Sequence, residues 1–165
     1  MRAEALGNDV VLLEPLSVEH AEEMASVLAD TRLFRFIGGE PPSVADLRGR
    51  YAKQVRGQSP DGKQWWLNWV VRRRADGSAA GYVQATVDLG GAELAWVIGI
   101  QYQGQGLARE SIRLMVDWLR GQDVSRLIAH VHPDHAASAA VARNAGLSPT
   151  GTVEDGEQRW EGSIG

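Results

Sequence analysis

One stretch constrains this chain's fold more than any other. Residues 93–121 read ELAWVIGIQYQGQGLARESIRLMVDWLRG. Over 93–101, Glu93, Ala95, Val97 and Gly99 alternate with Leu94, Trp96, Ile98 and Ile100, and the β-branched residues favour extended backbone. Then come Gln101-Tyr-Gln-Gly104-Gln-Gly106. From Leu107 the period changes to that of a helix, with Leu107, Ser111, Leu114 or Met115, and Trp118 on one face and Gly121 just past its end. A strand running through a Gly-rich turn into a helix is suited to holding an anion. Glycines admit close backbone approach, and the first helical amides have no internal partner and sit at the positive end of the dipole.

Three anion-binding patterns fit to different degrees. A P-loop requires Gly-Lys-Ser/Thr, and no Lys lies near. A dinucleotide fold requires Gly-x-Gly-x-x-Gly/Ala, but Arg109 stands where the small residue belongs. The third pattern, Gln-x-x-Gly-x-Gly at Gln101, Gly104 and Gly106, resembles the pyrophosphate loop of the GNAT superfamily of acyl-CoA-dependent N-acetyltransferases. The longer string from Glu93 to Glu110 is similar to the ribosomal-protein alanine N-acetyltransferase branch.

Composition narrows the alternatives. A chain of 165 residues reads most simply as one domain, 1–165, able to bury a real core. Its net charge of −4 lacks the clustered basic footprint of a nucleic-acid binder. Arg72-Arg73-Arg74 reads either as a solvated strand end or as a phosphate contact. With no Cys there is no disulfide, thiol nucleophile or Cys-based zinc site, and the four His lack a metal-binding spacing. The N-terminus has no apolar signal core, and no apolar run approaches the about 20 residues of a membrane span. The expectation is a soluble cytoplasmic protein without a metal.

In chain order, Val10–Leu16 reads as a strand, and Ser17 caps a helix running to about Ala29. Residues 30–42 read as a loop, and Ser43 caps a second helix. Trp65–Arg73 and Ala79–Val87 are strands joined at Asp76-Gly77, and Gly90-Gly91 turns into the 93–101 strand. After the central helix come strand 124–131, a helix between Pro133-Asp134 and Gly146, and strands 147–153 and 158–164. The GNAT resemblance implies an α/β (α+β) fold: a mixed, mostly antiparallel central sheet flanked by helices, with a parallel strand pair either side of the pyrophosphate-loop helix.

The resemblance also implies acetyl-CoA as cosubstrate and acetyl transfer to a primary amine. It implies that Val97, Ile98, Gly99 and Ile100 hold the pantetheine by backbone pairing, with an amide there stabilising the oxyanion. Gln103, Gly104, Gln105, Gly106, Leu107 and Ala108 would hold the pyrophosphate. Ser138 matches the branch's Ser and would donate to the sulfur; His135 stands at the family's pantetheine-contacting Asn, and Ala142 at the family's Tyr. Glu93 is the candidate base, with His132 as second candidate. Burial against apolar walls would tune Glu93 for that task. Phe34, Phe36, Glu40 and Trp160 are the acceptor-site candidates. Expected partners are acetyl-CoA and an amine, either a small molecule or a protein N-terminus. No nucleic acid or membrane is expected, and pairing with a second copy is left open. The other reading is a non-catalytic acyl-CoA-binding module on the same fold, or, further off, a dinucleotide-dependent enzyme.

Overall fold

The computed structural model describes residues 1–165. Eight strands form one sheet: β1 Leu6–Gly7, β2 Val11–Pro15, β3 Trp65–Arg73, β4 Ala79–Asp88, β5 Gly91–Ile98, β6 Arg126–Val131, β7 Ser148–Glu154 and β8 Glu157–Ser163. Their spatial order is β1-β2-β3-β4-β5-β6-β8-β7. Every neighbouring pair is antiparallel except β5–β6, which is parallel. The helices are α1 Ala21–Val27, α2 Phe34–Ile37, α3 Val44–Gln54, α4 Leu107–Gly121 and α5 Ala136–Asn144. This is the mixed sheet with a central parallel pair that the sequence led us to expect. No helix is long and apolar enough to cross a membrane.

Two apolar layers cover the sheet's two faces. Period-2 alternation sends Leu67, Trp69 and Val71 of β3 toward α4 and α5, into a core with Met115, Leu119 and Leu127. Val70 and Val97 face the other way and pack with Met24, Leu47 and Tyr51 of α1 and α3. On α4 the buried stripe is Leu107, Ser111, Ile112, Met115, Val116 and Leu119; Leu114 and Trp118 flank it. Trp69 is fully buried, meets Trp118 edge-on at 5.7 Å and donates from Nε1 to the Glu4 carbonyl at 2.7 Å. That bond ties the N-terminal segment to the core.

Several boundaries differ from the sequence reading for local reasons. Ser17 does cap, but it opens a 3₁₀ turn, Val18–His20, because His20 Nδ1 reaches back to accept from the Ser17 amide at 2.9 Å. Ser43 and Asp46 make a reciprocal capping box that starts α3. Residues 30–42, read as a loop, contain a 3₁₀ turn and the one-turn α2 before Gly38 and Gly39 break it at φ 73° and 85°. Strand β5 ends at Ile98, not at Gln101, and Ile100–Tyr102 coil into a 3₁₀ turn.

Ser111 is buried within the apolar core, and its hydroxyl has no hydrogen-bond partner. An unpaired buried hydroxyl costs about 1–3 kcal/mol, and Ala is also the better helix former. Ser111→Ala is therefore expected to raise the thermal midpoint by about 2–4 °C per kcal/mol gained. Thermal unfolding by circular dichroism checks this, and a lowered midpoint would contradict it.

Candidate active site

Strands β5 and β6 share only three register pairs, Ala92–Leu127, Glu93–Ile128 and Leu94–Ala129. Beyond these they part. β5 stays paired to β4 through Ile98, and β6 to β8 through Val131. The facing edges of Ala95–Ile98 and His130–Val131 therefore offer main-chain donors and acceptors with no strand to meet them. An extended ligand can pair there.

At the open end of the fork lies the Gly-rich turn. Gly104 and Gly106 adopt left-handed backbone, φ 79° and 76°. The first backbone hydrogen bond into α4 is Glu110 N–H to the Gly106 carbonyl, 3.1 Å. The amides of Gly104, Gln105, Gly106, Leu107, Ala108 and Arg109 donate to no group of the chain. Six successive free N–H groups at the positive end of a 15-residue helix suit an anion. Gln103 fastens the turn, donating from Nε2 to the Ile98 carbonyl at 3.0 Å. Arg73 fastens it from outside: its guanidinium lies 5.0 Å from the Tyr102 ring centre and donates to Gln105 Oε1 at 2.9 Å. The other two arginines of that run serve the fold. Arg72 bridges Glu14 and Glu23, and Arg74 donates to the Asn8 carbonyl.

The fork opens into a cleft of about 410 Å³. Its walls include Trp96, Val97 and Ile98 of β5, Gly104 to Ala108 without Gln105, and Ser138 and Val141 of α5. Leu33, Phe36, Ile37 and Tyr82 line it as well. Burial holds the Tyr82 phenol above its ordinary range. Ser138 is half-buried, and its hydroxyl makes no hydrogen bond within the chain, so it is not spent on its own helix backbone. His135 holds the N-cap position of α5 without a side-chain capping bond, and it stacks on Phe36 with ring centres 4.4 Å apart and planes 10° off parallel. Burial lowers its pKa, and the neighbouring His132 adds to the effect. His132 also lines the cleft, but its Nδ1 accepts from the Asp134 amide at 3.1 Å.

Glu93 and His130 stand at the crotch of the fork. Glu93 is in register with Ile128, and His130 lies two residues on, so both point to one face. His130 Nδ1 lies 3.0 Å from Glu93 Oε1, and its Nε2 lies 3.4 Å from Glu154 Oε2. The Glu93 side chain is 55% exposed, so the apolar enclosure expected around it is not there.

Other site candidates sit elsewhere. Gly99 is buried against α1: a Cβ there would lie 3.0 Å from the Val27 carbonyl, so the close approach is to the chain itself and not to a ligand. Ile100 packs on the α1–α3 cluster, and the Gln105 side chain turns to Arg73. Phe34 is half-buried in that same cluster, and Glu40 is exposed outside the cleft. Trp160 is 3% exposed within the main core, because β8 turns that face toward α5, where Arg143 covers its ring. It is no acceptor wall.

A family profile, the acetyltransferase (GNAT) domain, matches residues 11–148. The chain belongs to the GNAT acetyltransferase family. Similar solved folds include the GNAT-family acetyltransferase of Bacillus anthracis, at 16% identity, TM-score 0.77 and 98% coverage of both chains. The ribosomal L7/L12 α-N-protein acetyltransferase RimL, in complex with coenzyme A, matches at 17% identity, TM-score 0.80 and 98% of both chains. The aminoglycoside acetyltransferase AAC(6′)-Ib, in complex with paromomycin and acetyl-CoA, matches at 20% identity, TM-score 0.76 and 94% of both chains. No curated protein sequence matches the chain.

Within this GNAT fold, sequence reasoning passed over His130, Tyr82, Leu33 and Ile37 as cleft residues. His130 was legible in principle. Its period-2 relation to Ile128, once paired with Glu93, puts the two side chains together. Tyr82 required the β4–β5 register, which pairs it with Val97.

Proposed function

We propose that this GNAT chain moves an acetyl group from acetyl-CoA to a primary amine by direct attack, with both substrates bound together. The observation that carries this reading is the row of six free amides opening onto an unpaired strand edge with Glu93 at its inner end. The amides from Gly104 to Arg109 suit a pyrophosphate, and the edge Ala95–Ile98 suits an extended amide-bearing arm. Acetyl-CoA supplies the acyl group and a thiolate leaving group. A main-chain N–H of that edge steadies the carbonyl oxygen as charge develops on it. Glu93 takes the proton from the amine, directly or through one water, as its exposure permits. Ser138 can donate a proton toward the sulfur. The sequence has no Cys to carry the acyl group as a thioester, which favours direct transfer.

The acceptor is read as a cationic amine. Glu93 and Glu157 line the cleft, and the chain's net charge is −4. RimL acts on a ribosomal protein and AAC(6′)-Ib is an aminoglycoside enzyme, so the fold accommodates acceptors of both kinds. The test is release of free thiol from acetyl-CoA across a panel of cationic, neutral and acidic amines, including N-terminal peptides and aminoglycosides. Turnover confined to cationic acceptors is the expected result. Binding of acetyl-CoA without turnover on any amine would make the chain a non-catalytic module. Turnover only on neutral or acidic acceptors would overturn the charge assignment.

A further inference from the structure

We infer that His130 is the positioning residue for Glu93, clamping that carboxylate at the crotch of the β5–β6 fork. The inference rests on the reading of Glu93 as the base. Glu93 is a long side chain with more than half its surface in solvent, and in the chain its carboxylate has one hydrogen-bond partner, His130 Nδ1 at 3.0 Å. Without that partner its rotamers are free, and a base must lie within hydrogen-bond reach of the proton it takes. His130 is itself well held. Its side chain is 19% exposed, it stands on a strand paired on both sides at its base, and it lies between carboxylates from β5 and β7. Arg159, its register partner on β8, is committed to Glu161 at 2.9 Å and leaves the imidazole to the two glutamates.

The geometry divides the work. With a proton on Nδ1, His130 donates to Glu93 Oε1 and leaves Oε2 without a partner in the chain. The amine's proton goes to Oε2, and His130 neither gains nor loses one. Its Nε2 is buried without a well-formed hydrogen bond, 3.4 Å from Glu154 Oε2. The neutral ring can donate to only one carboxylate, whereas the imidazolium can donate to both.

The test compares steady-state kinetics of the intact chain with His130→Phe, His130→Asn, Glu93→Gln and the His130→Phe/Glu93→Gln pair. His130→Phe is expected to lower kcat about 10- to 100-fold, the scale for a misplaced reacting group. Acetyl-CoA affinity should hold within about twofold, because the amides that would hold the pyrophosphate lie elsewhere on the chain. His130→Asn should recover most of the loss, since its amide can donate where Nδ1 does. The paired variant should be no slower than Glu93→Gln alone, as expected when one residue acts through the other. Wild-type kcat in His130→Phe would overturn the inference. So would equal losses in the Phe and Asn variants, losses that multiply in the pair, or a His130→Phe enzyme slower than Glu93→Gln. A wild-type chain that acetylates no amine would overturn the proposed function itself, and this inference with it.

Discussion

Gly106→Leu is expected to weaken acetyl-CoA binding by roughly 100-fold or more while the chain stays folded. Gly104→Leu should behave alike. Both glycines sit at positive φ, 76° and 79°, where an L side chain costs about 1–2 kcal/mol. The turn would relax away from that geometry and redirect its amides. Losing two hydrogen bonds to a charged group, at about 1.5 kcal/mol each, already removes about 3 kcal/mol, or roughly two powers of ten. A leucine side chain would also stand in the space the ligand needs, since nothing in the chain lies within 4 Å of a Cβ built at either position. That same openness is why the fold should survive. Calorimetric titration with acetyl-CoA, beside a circular dichroism spectrum, checks both halves. Unchanged affinity in both variants would remove the pyrophosphate assignment.

Glu93→Gln is expected to lower kcat by about 10²–10⁴, the usual scale for losing a general base. Glutamine keeps the length of the side chain and can still bond His130, so the cleft keeps its shape. Acetyl-CoA affinity should stay near wild type, because Glu93 stands at the crotch of the fork and the free amides lie at its open end. The loss should shrink as pH rises, since more of the amine is already unprotonated and needs no base. A variant with wild-type kcat near neutral pH would transfer the role to His132 or to bulk water.

How much of this was legible in the sequence depends on whether an interaction is local. The conformation of the Gly-rich turn was legible, because Gly104, Gly106 and the helix that follows are contiguous and their backbone needs are written in residue type. The same holds for the Ser43 cap. The aromatic lining of the cleft was not legible. Phe36 reached the cleft, yet Phe34 and Trp160 went into apolar clusters. All three are aromatic residues with no local mark of which face they occupy. Of the acidic residues, Glu40 lies exposed outside the cleft, whereas Glu157 lines it from a strand more than a hundred residues later. Gly99 shows a subtler miss: a glycine that invites close approach does not say what approaches, and here it is Val27.

The three-pair joint between β5 and β6 has a mechanical meaning. Strands β1–β5 form one leaf and β6–β8 another, and along the sheet only the short parallel stitch from Ala92 to Leu94 sews them together. Beyond the stitch no strand joins the two leaves. A ligand arm that pairs along both free edges would finish the sheet, so the occupant would be a structural part of the protein as well as its reactant. The rigidity of the cleft would then belong to the loaded state, and the protein would be stiffest at the moment the amine arrives.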